Sequence, residues 1–219
     1  NANHLVGIVT IDDVIDVIRE EATEDILKMV GADQSAFAGE SVLKNFWTRA
    51  PWLFATWLGG LAASLLIGAF QHELETQVAL AAFIPIVLGM GGNVGTQTAT
   101  IMVRGMATGR VSGGIGWRYL VRETGVGVLM GVLYGLLLGG YALLRFSGHA
   151  GAVRLAVIVG VSILASMINA ATIGAITPLI FERLKIDPAV ATGPIVTTAV
   201  DVMGIVVYFT VASVVGHVD

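Results

Sequence analysis

One carboxylate, Asp201, stands near the middle of a stretch from Ala189 to Gly216 that holds no other charged residue. An ionised Asp at the centre of a bilayer costs roughly 2.5 to 3.5 kcal/mol on insertion scales, so such an acid belongs in a bundle interior or beside a water-filled path. Cation conduction is the first chemistry this suggests; a buried structural carboxyl, protonated or bonded to a neighbouring helix, is the plain alternative. Pro194, Thr197, Asp201, Gly204 and Tyr208 recur at intervals of three or four and so share one helix face that is polar, kinked and acidic. A second unusual stretch, Pro85 to Gln97, carries four glycines and a proline, with Gly89, Gly92 and Thr96 on one face. Close packing of small residues explains the glycines without any ion. It does not explain Asn93 and Gln97, whose amides are costly against lipid and suit a lined cavity. Ser162, Ser166 and Asn169 add hydroxyl and amide groups at similar spacing, which predicts a water-holding groove beside Asp201.

The elements that must position these groups follow from composition. With 55% hydrophobic residues, 13% charged residues and 28 glycines in 219 positions, the chain is too apolar for a water-soluble domain of this size and reads as an all-α integral membrane protein. Five apolar runs, Pro51 to Phe70, Val78 to Val103, Leu120 to Leu144, Leu155 to Phe181 and Ala189 to Gly216, each supply the roughly 20 residues of a spanning helix. With the amino end in the cytoplasm, the inner segments hold Arg19, Lys28, Lys44, Arg49, Arg104, Arg110, Arg118, Arg122, Arg183 and Lys185, and the outer ones only Arg145 and Arg154. That asymmetry predicts a cytoplasmic amino terminus and an extracytoplasmic carboxyl terminus in a cell membrane. The chain has no cysteine, and its four histidines, His4, His72, His149 and His217, lie outside the five runs, so neither a thiolate site nor an imidazole path is expected.

The first fifty residues are of different material. Leu5 to Thr10 reads as a short strand, and Thr10 with Asp13 forms a capping pair that opens a helix to about Met29. A strand feeding a helix, with residue 1 in mid-pattern, suggests the end of a larger cytosolic α/β module. On that helix Ile15, Ile18, Ala22 and Ile26 form an apolar stripe, and seven acids crowd between Asp12 and Asp25. Such acids fit either a solvated face or, with a second carboxylate surface opposite, a divalent-cation sensor. From Asp33 to Arg49 an amphipathic helical stretch is expected to end at Pro51, either lying along the membrane or linking the sensor to the spans.

Taken in order, Gly7-Ile-Val-Thr-Ile-Asp-Asp-Val, Glu21-Ala-Thr-Glu-Asp25, Pro85 to Gln97, Asp187-Pro-Ala and Pro194-x-x-x-Thr-x-x-x-Asp201-x-x-Gly204-x-x-x-Tyr208 resemble the MgtE-type magnesium channels across the whole chain. The resemblance implies a homodimer of five-span subunits with a pore on the two-fold axis, closed by a cytosolic module when internal magnesium is high. Residues 1–30 would be the end of the tandem CBS module, 31–50 the connecting plug helix, and 51–219 the pore domain. Asp201 would hold a hydrated ion with Thr197, Asn93 and Gly193 near it. Asp13, Asp16, Glu21, Glu24 and Asp25 would be sensing carboxylates, with Asp187 facing them. Some family members have asparagine at the positions of Thr96 and Gly193, so backbone carbonyls would replace side-chain contacts there.

The expected ion is Mg2+, with Mn2+, Co2+ and Ni2+ as possible companions. Magnesium keeps several of its waters and needs only one or two carboxylates, which fits one Asp per subunit. The glycine-rich stretch lacks the lysine and the strand-to-helix setting of a phosphate loop, so an enzyme is not expected and neither nucleotide nor nucleic acid is an expected partner. A proton- or sodium-coupled carrier using Asp201, and a membrane anchor for a signalling domain, are the competing readings.

Overall fold

The computed structural model describes residues 7–32, 41–76, 78–111 and 116–216. Seven α-helices follow in order: α1 Ile11–Met29, α2 Val42–Ala69, α3 Gln71–Thr76, α4 Ile84–Ala107, α5 Gly116–Arg145, α6 Ala152–Arg183 and α7 Thr197–Gly216. A tight turn of helix, Val78–Phe83, leads into α4 and another, Pro188–Ala191, into the wider turn Thr192–Val196 before α7. Five helical stretches are long and apolar enough to cross a membrane: Val42–Ala69, Val78–Ala107, Gly116–Arg145, Ala152–Arg183 and Thr192–Gly216. The expected all-α membrane architecture with five spans is therefore present.

The bundle is organised around α6, which packs on α5, α4 and α7. Its contact with α5 is a seam of small residues. A Cβ added to Gly135 would lie 2.7 Å from the Gly160 carbonyl oxygen, and one on Gly139 would lie 2.9 Å from that of Ala156, so the two backbones touch. In hydrocarbon, where apolar surface gains little by leaving lipid, such close approach supplies the dispersion energy that holds helices together. Gly95 repeats the device on α4, its missing side chain leaving room for Val200 of α7.

Toward the other end, Phe83, Leu80, Ile158, Tyr208 and Phe209 form the main buried cluster, with Phe70 stacked on Phe209 at a centroid distance of 5.0 Å. Tyr208, expected on the polar stripe, is instead buried and donates its hydroxyl to the Leu80 carbonyl at 2.8 Å. That bond satisfies a carbonyl in the irregular turn before α4 and fixes the tyrosine as structural. Arg154 donates to the Gly216 carbonyl at 3.4 Å, placing positive charge at the carboxyl end of α7.

Two local expectations need correction. Gly7 to Thr10 form no strand, and residues 5 and 6 lie outside the described ones. A lone strand without a neighbour has no ladder to satisfy it. The helix expected to end at Pro51 does not end there: α2 begins after the N-cap Ser41 and runs through Pro51 to Ala69. A proline forfeits one backbone bond, a loss that long membrane helices absorb. The part of that stretch from 33 to 40 lies outside the described residues. The capping pair at the start of α1 is present, with Asp13 Oδ2 accepting from Thr10 N–H at 2.7 Å.

The glycine seam makes a direct prediction. Gly135→Leu should strip α6 from α5 and lower the thermal midpoint in detergent by several degrees, an overpacking cost of about 1 to 3 kcal/mol. Gly140→Leu, where nothing lies within 4 Å of the added carbon, should leave the midpoint unchanged.

Candidate functional site

Two arrangements bear chemistry, and both involve the broken start of the last span. Asp187 caps the turn Pro188–Ala191, its Oδ1 accepting from Ala189 N–H at 2.9 Å. The chain then leaves helical geometry at Gly193, with φ −32° and ψ −115°, ahead of Pro194. Thr197 bridges the break by donating to the Gly193 carbonyl at 3.1 Å and the Pro194 carbonyl at 3.2 Å. One helical turn later Asp201 is half-buried and directed at α4, where its Oδ1 would lie 3.8 Å from a Cβ placed on Gly92. Gly92 thus leaves open space in front of the carboxylate.

On α4 beside this gap, Gly89, Asn93 and Gln97 are exposed at four-residue spacing, on a face that no other helix of the described chain covers. The structure therefore brings Asp201 opposite Gly92, with Thr197 one turn away and the amides of Asn93 and Gln97 on the neighbouring open face. The expected groove loses Ser162 and Ser166, which are fully buried and have no hydrogen-bond partner among the described residues. Ser166 lies behind Gly91, and Gly204 is buried against Leu88 and Ser166, so neither opens toward Asp201.

The second arrangement is where α1 docks. The α1 carboxyl end is seated on the helix break: Thr192 Oγ1 donates to the Met29 carbonyl at 3.3 Å, and the same carbonyl abuts Gly193, where any side chain would collide with it. Gly31, at φ 69°, lets the chain turn away beneath Trp52 of α2, whose ring lies 3.0 Å from where a Gly31 side chain would start. Lys28 Nζ is 2.7 Å from Glu24 Oε1 and 2.7 Å from Asp187 Oδ2. Asp25 lies in the same cluster, its pKa raised by burial and then by repulsion from Asp187. For Asp187 burial acts upward, but the Lys28 hydrogen bond and the Ala189 N–H outweigh it and hold its pKa below the usual value.

The remaining predicted acids are spread along α1. Asp13 is engaged in the amino-terminal cap, and the Thr10 bonds lower its pKa; Asp16 and Glu21 are exposed. Among the described residues no three acid or imidazole groups converge closely enough to ligate one ion directly. The stripe Ile15, Ile18 and Ile26 is also exposed, and only Leu27 of α1 is buried.

Two residues escaped the sequence reading. Lys28 counted only as an inner positive charge, yet it pairs with Asp187 across 159 positions. Glu123 of α5 is buried, 6% exposed, and its place four residues before Gly127 on the seam is the signal that could have flagged it.

The site and the bundle define a multi-pass helical membrane protein with an acid beside a broken helix. The MgtE family, described as divalent cation transporters, matches residues 84–211. The chain is 38% identical over 210 residues to the magnesium transporter MgtE of Thermus thermophilus, covering 95% of this chain and 46% of that protein. It is 34% identical to the Bacillus subtilis magnesium transporter MgtE, over 98% of this chain and 47% of the relative, and 32% identical to that of Enterococcus faecalis, over 96% and 46%. The chain belongs to the MgtE family and spans about half the length of these relatives.

The ion pair at the α1 seat predicts a pH window. Asp187, with a depressed pKa, stabilises the seat above its ordinary 3.8 and loses that contribution as pH falls through its lower folded value. Lys28, bonded first by Asp187 and then Glu24, has a raised pKa; it contributes fully below its ordinary 10.5 and loses this only at still higher pH. Asp25 has the opposite sign to Asp187: its raised pKa means that ionisation above 3.8 opposes seating, a penalty relieved by acid. Trp52 fluorescence, in protein with Trp47, Trp57 and Trp117 replaced by Phe, should be constant from about pH 6 to pH 10 and change below about pH 4. A transition near pH 7 would contradict this assignment.

Proposed function

We propose that this chain is the membrane-spanning part of a magnesium channel, in which hydrated Mg2+ passes between two copies of the chain and past Asp201. The carrying observation is the uncovered face holding Asn93 and Gln97 beside the Asp201 carboxylate. Amides at membrane depth are disfavoured against lipid, so that face is best matched by water and a second copy of itself. Family membership and the likeness to magnesium transporters support magnesium as the cargo.

One carboxylate from each of two subunits suits an ion that keeps its water shell. Gly193 and Thr197 offer the Gly193 carbonyl and a hydroxyl oxygen as acceptors for those waters. No coupled ion is needed: a divalent cation entering down an inside-negative potential gains roughly 4.6 kcal/mol per 100 mV. No chemistry on the cargo is involved, so the protein is not read as an enzyme. The ion enters the cytoplasm, with the amino terminus on that side and the carboxyl terminus outside.

In this reading α1 is the end of a CBS module and the amino-terminal part of α2 is the plug helix. Internal Mg2+ gates the pore at the cluster of Glu24, Asp25 and Asp187, with Asp13, Asp16 and Glu21 facing the rest of the cytosolic module. The bare Ile15, Ile18 and Ile26 stripe is the surface such a module would cover.

The test is flux into liposomes loaded with a magnesium dye. Asp201→Asn should cut Mg2+ entry at least tenfold while the protein keeps its helical content and dimer. Flux that persists in Asp201→Asn would refute the pore assignment, and uptake that requires an imposed proton or sodium gradient would replace the channel with a carrier.

A further inference from the structure

We propose that the cleft between the start of α5 and the end of α6 holds an anionic phospholipid of the adjoining leaflet, with its phosphate at Arg183 and its chains against Trp117. The cleft is a cavity of about 390 Å³, within the range of roughly 300 to 1,000 Å³ typical of ligand pockets. Leu120, Ile176 and Leu179 give it an apolar wall, which Trp117, Glu182 and Arg183 complete. A Cβ added to Gly116 would lie 2.8 Å from Leu179 Cδ2, so the two helices touch at its edge and the space is a wedge between their ends. Trp117 is 69% exposed and Leu184, the residue after Arg183, 62%. Large apolar side chains thus stand beside charged ones at a helix end, the setting in which tryptophan meets the headgroup layer of a membrane.

Charge selects the headgroup. Arg118 and Arg122, one turn apart on α5, and Arg183 and Lys185 at the end of α6 are all exposed, and none of the four forms an ion pair among the described residues. Glu182 shares the cavity wall with Arg183, whereas Glu123, about one turn deeper than Leu120, is buried and not part of that wall. The exposed cations outnumber the exposed acid at this end of the two helices, and basic pockets between spans are where anionic headgroups bind. A guanidinium can donate two parallel hydrogen bonds to a phosphate. A zwitterionic lipid brings a cationic group that the same field repels. A lipid held there ties the start of α5 to α6 four residues before Asp187, at the helix end that leads into the break at Gly193. The inference does not depend on which ion the protein carries.

The experiment reads lipid contact at Trp117 by fluorescence quenching. The whole chain, with Trp47, Trp52 and Trp57 replaced by Phe, is reconstituted in phosphatidylcholine bilayers containing a minor fraction of either phosphatidylglycerol or phosphatidylcholine brominated on its acyl chains. Brominated phosphatidylglycerol should quench Trp117 with an apparent affinity at least about fivefold above that of brominated phosphatidylcholine, the ratio that one basic residue near an anionic surface supplies. Arg183→Gln should bring the preference to within about twofold of none, and Glu182→Gln should raise it. Arg145→Gln, at the opposite end of α5, should leave it unchanged. Should Arg183→Gln lose its helical content, the double variant Arg118→Gln with Arg122→Gln takes its place and should lower the preference at least about fivefold. Equal quenching by the two brominated lipids, or a preference that survives these arginine variants, overturns the proposal. Loss of the preference on adding inorganic phosphate at constant ionic strength would show a site for free anions and overturn the lipid assignment.

Discussion

A carboxylate cannot rest among lipid tails, and the layout of this chain follows from accommodating one. Asp201 stands in an otherwise uncharged span of 25 residues, and its side chain is not sealed in the core and, among the described residues, forms no ion pair with a base. Gly92 on the facing helix leaves a gap in front of it, and the small residues of α4 allow that helix to lie close enough to form one wall. Remove the acid and there is no reason for Asn93 and Gln97 to occupy an uncovered face.

The second constraint is mechanical. The last span opens at a break, with Gly193 out of helical geometry and Pro194 next, and a side chain at Gly193 would run into the Met29 carbonyl. The end of α1 therefore bears on the residues that carry the Thr197 and Asp201 turn, with no soft linker between. In the proposed gating, Thr192 and Gly193 are the contacts through which a shift of α1 would reach the first turn of α7. The described contacts at that seat include the Lys28–Asp187 pair, the Thr192 bond to the Met29 carbonyl and the Trp52 ring against Gly31.

Much of this was legible in the sequence, for reasons that are themselves physical. Spanning helices show in hydropathy because the bilayer leaves backbone groups only intrahelical partners. The Thr10 to Asp13 cap is local, and Asp201 is conspicuous because nothing else near it is charged. What the sequence hid was the choice of neighbour. Spacing puts Pro194, Thr197, Asp201, Gly204 and Tyr208 on one face, but helix twist turns Gly204 and Tyr208 into the core, where Tyr208 meets Leu80 from another span. Ser162 and Ser166 were misplaced for the same reason. The pairing of Lys28 with Asp187 joins residues far apart in the chain, and no local pattern announces it. Pro51 misled because its rule comes from helices in water, where a broken bond is less easily tolerated.

The central claim is that the ion beside Asp201 keeps its water. Mn2+ bound to the reconstituted protein, examined by electron-nuclear double resonance in isotopically labelled water, counts the waters on the metal directly. The account predicts a signal lost in Asp201→Asn, with about six waters retained and the carboxylate in the outer shell. An ion stripped to protein oxygens, or one whose binding ignores Asp201, would contradict it.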